Sequence, residues 1–566
     1  MTPPPEATLA PSRPELVGDG YPASRPRWIE LVTSSDHKDI GRMFLTGSLG
    51  FLLVATVEWL LMRLQLAIPE NTLLRPEFFN RILSLYGETA IFLFAIPLVL
   101  GLFCYLVPLQ IGARGTALPR LGQLGFWLWA MGGAVLYASL VFTPPEAGVN
   151  PLPTLSSLAF SPSDGVDVWL AAAGLACLGF VCTTINLIAT LRNLRAPGLA
   201  WRRLPPFAFT AAVGSWMLLV VSTVMLGAVA MLMFDRNVHG VFFEGDAGGA
   251  PLLWQHLSWI FYNGAYTLVL IAAFGAIAEI IPVFSGKPLF NREAVLGSIA
   301  ALAVLGPLAW MQNMYSQPIG IGWSYFAMAV AFAMVIPVGL LLFNFLATMI
   351  GGAVRMRAAM LYAIGALSMI VAGLAGELGH VSVGVAWQLQ NTTDATASTH
   401  YALIGAAVLG GLAALHYWFG KITGHTLGES LGRMSFWTIV VGLNVSFLPL
   451  VLAGLQGQVV DVYKYFSGTG VATDNLIATI GAFILAIGIV MALLNVTLSL
   501  KGGVRAGHDP WGGSSLEWFA LSPPPDHNFD VLPDVRSHEP LRDIRDAIAR
   551  QRAGTAAESV ESQPVA

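Results

Sequence analysis

Apolar residues fill this chain in long runs, separated by charged or proline-rich breaks. Twelve such runs start near Met43, Ile82, Leu124, Val168, Phe207, Trp254, Val295, Trp323, Ala358, Thr399, Ser435 and Asn475. The hydrocarbon core of a bilayer is about 30 Å thick and takes about 20 residues of helix to cross. Most of the runs slightly exceed that length, so the pattern predicts twelve transmembrane helices and an all-α polytopic membrane fold.

The breaks set an orientation, because lysine and arginine collect on the cytoplasmic side of short membrane loops. Every second break is basic. This set comprises the segment with Arg25, Arg27, Lys38 and Arg42, the loop with Arg114 and Arg120, RNLRAPGLAWRR, SGKPLFNRE, the pair Arg355 and Arg357, the loop with Lys421 and Arg433, and the segment with Lys501 and Arg505. Between them, 143–165 and 379–398 hold no lysine or arginine, and the break around Glu244 and Asp246 holds only Arg236. The first of the intervening breaks, with Arg63, Arg75 and Arg81, is the exception. Both termini are therefore expected on the cytoplasmic side. Residues 1–40, rich in proline and glycine and without the apolar stretch of a signal peptide, read as a disordered tail. Residues 41–500 read as the membrane domain and 501–566 as a second, polar cytoplasmic tail.

Composition sharpens the class. Of 566 residues, 55% are hydrophobic and 11% charged, against about 25% charged in an ordinary soluble domain. A net charge of -4 offers no basic field for nucleic acid, so nucleic acid is excluded as a partner. Cys104, Cys177 and Cys182 lie in apolar runs at spacings that match neither a redox pair nor a zinc knuckle, and read as small core residues. The 59 glycines spread through the helices, where small residues let membrane helices approach closely.

Seven stretches carry more specific information: TSSDHKDIG at 33–41, YLVPLQIGARGTALPRLG at 105–122, RAPG at 195–198, WQHLSWIF at 254–261, IIPVFSGKPLF at 280–290, HYALIGAAV at 400–408 and YWFGKITG at 417–424. Together and in this order they resemble subunit I of the heme-copper oxidases, the family of cytochrome c and quinol oxidases, over about residues 33–529. The resemblance implies the twelve-helix subunit I fold, a bacterial inner membrane, and subunit II-like and subunit III-like partners.

It also implies six histidines. In the family, helices two and ten give two to a low-spin heme, helix ten gives a third to a high-spin heme, and helices six and seven give three to copper. Imidazole suits both metals because it donates without bringing a negative charge into a low-dielectric site. Here the helix-two position holds Tyr86. The helix-six pattern Gly-His-Pro-Glu-Val-Tyr falls on 262–267, which puts Asn263 at a copper-ligand position, Ala265 at the proton-carrying glutamate and Thr267 at the crosslinked tyrosine. The histidine pair of helix seven falls on Gln312 and Asn313, and the His-x-His of helix ten on Ser398, Thr399 and His400. The helix-eight lysine falls on Leu341, the channel aspartate on Gly115, the magnesium-site pair on Gln390 and Asn391, and the propionate-binding arginines near Val459, Val460 and Asp461. Of the six histidines, His400 is retained.

Amides are poor copper ligands beside imidazole, and a serine hydroxyl does not replace a proximal histidine. These departures lead to the expectation of a chain that holds no heme and no copper. Asn263, Gln312, Asn313 and Thr267 are then a hydrogen-bonded plug, and Tyr86, Tyr262, Tyr266 and Phe345, or lipid or quinone, fill the former heme space. The function expected is that of a pseudoenzyme, a non-catalytic structural or regulatory subunit of a respiratory complex. Alternatives stand beside it, a channel or transporter that reuses the emptied cavity among them, and two are oxidative. One is an active terminal oxidase taking electrons from cytochrome c or quinol to oxygen. The other is a single-heme electron-transfer subunit using His400, with Tyr86 as a second, phenolate ligand.

The remaining polar groups in the apolar runs are fewer. An intramembrane carboxylate costs at least about 2.5 kcal/mol and usually marks a path or a partner, which singles out Glu58, Glu88 and Glu377, with Glu88 as a candidate proton or ligand path. Glu279 is expected to face headgroups or Lys287. His256, His380 and His416 read as structural, the last two without an obvious partner.

Overall fold

Hydrocarbon offers no hydrogen bonds, so a spanning segment must pair every backbone N–H and C=O within itself, and a helix does so. In the computed structural model of the chain, the twelve apolar runs become twelve helices long and apolar enough to cross a membrane. The structure describes residues 27–146, 148–533 and 535–561, and most of the stretch read as a disordered N-terminal tail lies outside them. The chain divides into two units, 1–34 and 35–566. The described part of the first is a short helix, Arg27–Thr33, with Thr33 Oγ1 donating to the carbonyl of Ile29.

The second unit holds the spans: α1 (His37–Gln65), α2 (Pro76–Gln110), α3 (Pro119–Val141), α4 (Gly165–Asn193), α5 (Pro206–Val238), α6 (Pro251–Ser285), α7 (Arg292–Met314), α8 (Ile321–Met349), α9 (Ala358–Val381), α10 (Thr393–Thr423), α11 (Glu429–Leu455) and α12 (Ala472–Gly502). This is a multi-pass membrane protein. Most spans begin a few residues before the apolar runs because polar first turns also join the helix. Asp36 caps α1 by accepting from the Lys38 N–H at 2.9 Å. Pro76, Pro119, Pro206 and Pro251 open four spans at the position where a missing N–H costs nothing.

Burial separates inner from outer helices. In α2, α10 and α6, 94%, 89% and 83% of the most apolar window is buried, against 22% in α8. The first three therefore form the interior, and α8 presents its apolar side chains outward. Two of these inner helices widen into π-helical turns, at Thr89–Ala95 in α2 and Gly405–Gly410 in α10. Such turns rotate the downstream face relative to the upstream one, and they are frequent at functional sites. Glycine sets the closest approaches. A Cβ on Gly179 of α4 would stand 2.6 Å from the carbonyl oxygen of Gly125 in α3.

Described residues of 501–566, expected as a second tail, pack against the spans. Leu516, Trp518 and Phe529 join the same buried cluster as the membrane helices, and the segment ends in α13 (Pro540–Glu561). Lys38 Nζ donates to the carbonyls of Pro525 and Asp526 at 3.0 and 3.1 Å. Lys421 Nζ donates to those of Ala520 and His508 at 2.6 and 3.1 Å.

Candidate functional site

Between the inner helices lies a cavity of about 710 Å³, within the range of about 300–1,000 Å³ typical of small-molecule and cofactor sites. Its wall is mostly apolar, with Leu52 and Ile91 on one side and Leu485 and Ile489 on another. The expectation that enlarged side chains close this space is therefore corrected. Tyr86, Tyr262 and Tyr266 line the cavity without filling it, and Phe345 packs elsewhere, against Phe274.

Tyr86 of α2 and His400 of α10 meet in this wall. The tyrosine hydroxyl stands 2.9 Å from His400 Nε2, and the two rings lie 4° from parallel. His400 Nδ1 lies 2.7 Å from the Thr396 carbonyl. A carbonyl only accepts, so Nδ1 carries the proton, and Nε2 of the neutral ring accepts from Tyr86. Trp59 and Phe447 stack against the imidazole at 5.3 and 5.2 Å between centroids, which fixes its plane.

The positions aligned with copper ligands come together on the far side. Asn313 Nδ2 donates to Asn263 Oδ1 at 2.9 Å, while the backbone carbonyl of Gln312 accepts from Gln390 Nε2 at 3.2 Å. Thr267 packs on Gly306, where its Oγ1 leaves no room for a Cβ. The amide pair thus links α6 to the end of α7, and Gln312 and Thr267 contribute by other contacts. Ser398 is buried, and a Cβ on Gly376 would run into its hydroxyl.

Other polar residues find partners that the sequence did not show. His380 Nε2 pairs with Asp394 at 3.0 Å across the α9–α10 connection, and Glu377 accepts from Thr399 Oγ1 at 2.7 Å. Both Glu377 and His380 line the cavity. Glu58 accepts from Tyr137 at 2.9 Å, and Tyr137 is 2.5 Å from Thr89 Oγ1. Glu88 is buried, and its Oε1 has no hydrogen-bond partner among the described residues. Glu279 does not face Lys287. It is buried and accepts from the Phe207 N–H, whereas Lys287 caps the carbonyls of Ala347 and Ile350. His256 accepts from Trp310 Nε1 at 3.0 Å, and His416 Nδ1 bonds the Leu412 carbonyl at 2.9 Å. The three cysteines are buried and free.

The sequence profile described as Cytochrome C and Quinol oxidase polypeptide I matches residues 39–484. The chain belongs to this family. It is 37% identical to the cytochrome c oxidase subunit 1 of Bacillus subtilis (strain 168) over 516 residues, covering 90% of this chain and 82% of that one. It is 36% identical to the cytochrome c oxidase subunit 1 of Thermostichus vulcanus, covering 90% and 92%, and 34% identical to the quinol oxidase subunit 1 of B. subtilis, covering 90% and 80%. Its fold matches a chain from a heme-copper terminal oxidase dimer with a TM-score of 0.69 at 14% identity, covering 88% of each.

Membership overturns the expectation of a chain without heme or copper. That expectation rested on aligned ligand positions alone, whereas the family is one of oxidases that carry both groups. The residues present fit the two groups unequally. His400 suits a heme ligand, since metal-bound histidines almost always donate their other ring N–H to a carbonyl or carboxylate. Tyr86 is not placed as a second ligand: its hydroxyl takes the single lone pair of neutral Nε2 at 2.9 Å, so it would have to turn away for the imidazole to hold heme iron. Asn263, Gln312 and Asn313 do not make an imidazole set for copper. Among the described residues no group of three or more His, Cys, Asp or Glu could hold a metal ion.

Proposed function

We propose that this chain is the membrane subunit of a respiratory oxidase complex in a bacterial inner membrane, with a heme held in its cavity by His400. The observation that carries the reading is the imidazole: Nδ1 is tied to the Thr396 carbonyl, and Nε2 is turned toward Tyr86 in a cavity of about 710 Å³. A bound heme supplies one-electron redox chemistry. The chain's own residues hold and orient. Thr396 fixes the tautomer, and Trp59 and Phe447 fix the ring plane. Cytochrome c or a quinol, named for the relatives, is the donor class. Subunit II-like and III-like proteins are the partners, lipid covers the outward face of α8, and the basic breaks support both termini on the cytoplasmic side.

The test is a pyridine hemochrome assay with a reduced-minus-oxidised spectrum on the purified full-length chain beside His400→Ala. One heme per chain, lost in the variant, is expected. Heme that survives the substitution, or a wild-type chain that purifies without heme, overturns the assignment.

The hydrogen bond from Asn313 to Asn263 favours a second reading, a structural or regulatory subunit in which this bond ties α6 to α7. Interhelical side-chain hydrogen bonds in membranes are worth about 0.6–2 kcal/mol. Asn263→Ala should then lower the thermal stability of the assembled complex by that order while leaving the heme spectrum unchanged. An unchanged stability removes the support.

A further inference from the structure

Away from the cavity, unpaired buried polar atoms gather where the C-terminal segment meets α2, α6 and α10. Glu517 is 0% exposed. Its Oε1 accepts from Gln110 Nε2 at 3.1 Å and from Trp418 Nε1 at 3.2 Å, but Oε2 has no partner among the described residues. Gln110 Oε1 shares that condition, while Ser515 Oγ lies against Glu517 and Trp518 Nε1 against Tyr417 Oη without a well-formed bond. Gln110 bonds Glu517, Ser515 and Trp518 flank it in sequence, and Tyr417 packs edge-on against Trp518 at 5.1 Å between centroids. These groups therefore belong to one neighbourhood.

A second carboxyl joins it. Glu279 of α6 accepts from the Phe207 N–H, and the Phe207 ring lies 4.9 Å from that of Trp418, whose indole bonds Glu517. Phe207 and Trp418 thus bridge the two carboxyls. The charged groups facing the pair are Lys421 of α10, Arg292 of α7, and Asp509 and Glu539 of the C-terminal segment. The nearest cation, Lys421 Nζ, does not neutralise Glu517 by a direct bond. It is committed to backbone carbonyls and lies 5.4 Å over the Trp518 ring.

Buried polar atoms left unpaired in a native protein need an occupant, typically ordered water making about three hydrogen bonds. Among the described residues no group of three or more His, Cys, Asp or Glu here could hold a metal ion. Water accepts and donates, so it satisfies the whole set. We propose that Glu517, Glu279, Gln110, Ser515, Tyr417 and Trp518 enclose an internal hydrated site in which the two carboxyls hold one proton in common, making the C-terminal segment a proton-binding cap on the membrane helices. The proton sits on a carboxyl oxygen, gives Glu517 Oε2 a hydrogen bond, and exchanges with bulk water through the enclosed waters. No bond to carbon is made or broken.

Infrared difference spectroscopy on the full-length chain in lipid nanodiscs tests this. Subtracting Glu517→Gln from wild type at neutral pH should leave the carbonyl stretch of a protonated carboxylic acid, and that band should shift promptly in D2O. Glu279→Gln, which removes the partner, should displace the same band, and it keeps the test informative if Glu517→Gln assembles poorly. No such band, a band that fails to exchange, or a band indifferent to Glu279→Gln overturns the proposal. Thermal stability that depends on a divalent cation and is lost with a chelator also overturns it, in favour of a metal.

Discussion

Arg236 shows what a buried charge requires in this protein. Its side chain is 1% exposed and is paired with Asp167 through Nε and Nη2, both at 2.9 Å, with further bonds to the carbonyls of Ser156, Ser161 and Ser163. Breaking a buried ion pair by removing one partner costs about 3–5 kcal/mol. Arg236→Met is expected to destabilise by about that amount, read as a large drop in the thermal unfolding temperature of the purified protein. Tyr86→Phe is a milder change. It frees the Nε2 lone pair while the Thr396 carbonyl still orients the ring, so the heme-to-chain ratio in a hemochrome assay should be at least the wild-type value; a loss like that of His400→Ala would make Tyr86 a ligand. At this scale the sequence told residue types but not partners. His380 looked solitary, yet Asp394 reaches it from the next helix, and Glu279 looked headgroup-facing, yet it caps the start of α5 at Phe207. Whether such a group points to lipid or to a neighbour depends on helix rotation, which a single run of apolar letters does not encode.

The helices themselves were readable. Twelve runs gave twelve spans, because crossing a membrane depends on the summed transfer energy of about 20 consecutive residues and hardly on their neighbours. Their contacts were not readable at the same precision. Gly442 of α11 faces the backbone of α12, where an added Cβ would stand 2.6 Å from Leu485 Cα, and Gly179 meets α3 as closely. Overpacking costs about 1–3 kcal/mol. Gly442→Val should therefore lower the unfolding temperature, whereas Gly339→Val, at a position on α8 with nothing within 4 Å, should leave it unchanged. The π-helical turns in α2 and α10 left no mark in the sequence. They come a few residues after Tyr86 and His400 and help decide which faces of α2 and α10 line the cavity.

Across the unit spanning 35–566, the C-terminal segment couples elements far apart in sequence. Asn528 bonds the Ala113 carbonyl at 2.8 Å and His37 Nε2 at 2.9 Å, and Trp511 bonds the Tyr417 carbonyl at 2.9 Å. Burial, the largest cause, raises the Glu517 pKa above the ordinary carboxyl value. A carboxyl whose pKa is raised on docking contributes its full stability below the undocked pKa of about 4.3, and loses it as pH rises through the docked value. Stability of the docked segment should therefore fall as pH rises through the raised docked value, read by limited proteolysis of the segment, and the slope should flatten in Glu517→Gln. A slope of the opposite sign would mean that Glu517 is ionised when docked.

The sequence by itself determined the membrane, the twelve helices and the family, because each rests on local sums or ordered motifs that survive without neighbours. His400, too, could be picked out as the retained histidine from the ordered motif around it. Only the tertiary structure decided that Tyr86 bonds it, that a cavity of about 710 Å³ stays open beside them, that Asn313 joins Asn263, and that the described C-terminal segment buries the Glu517 carboxyl against the spans. These depend on the rotation and spacing of helices to within the length of a hydrogen bond, and only the packing of the whole fold fixes those.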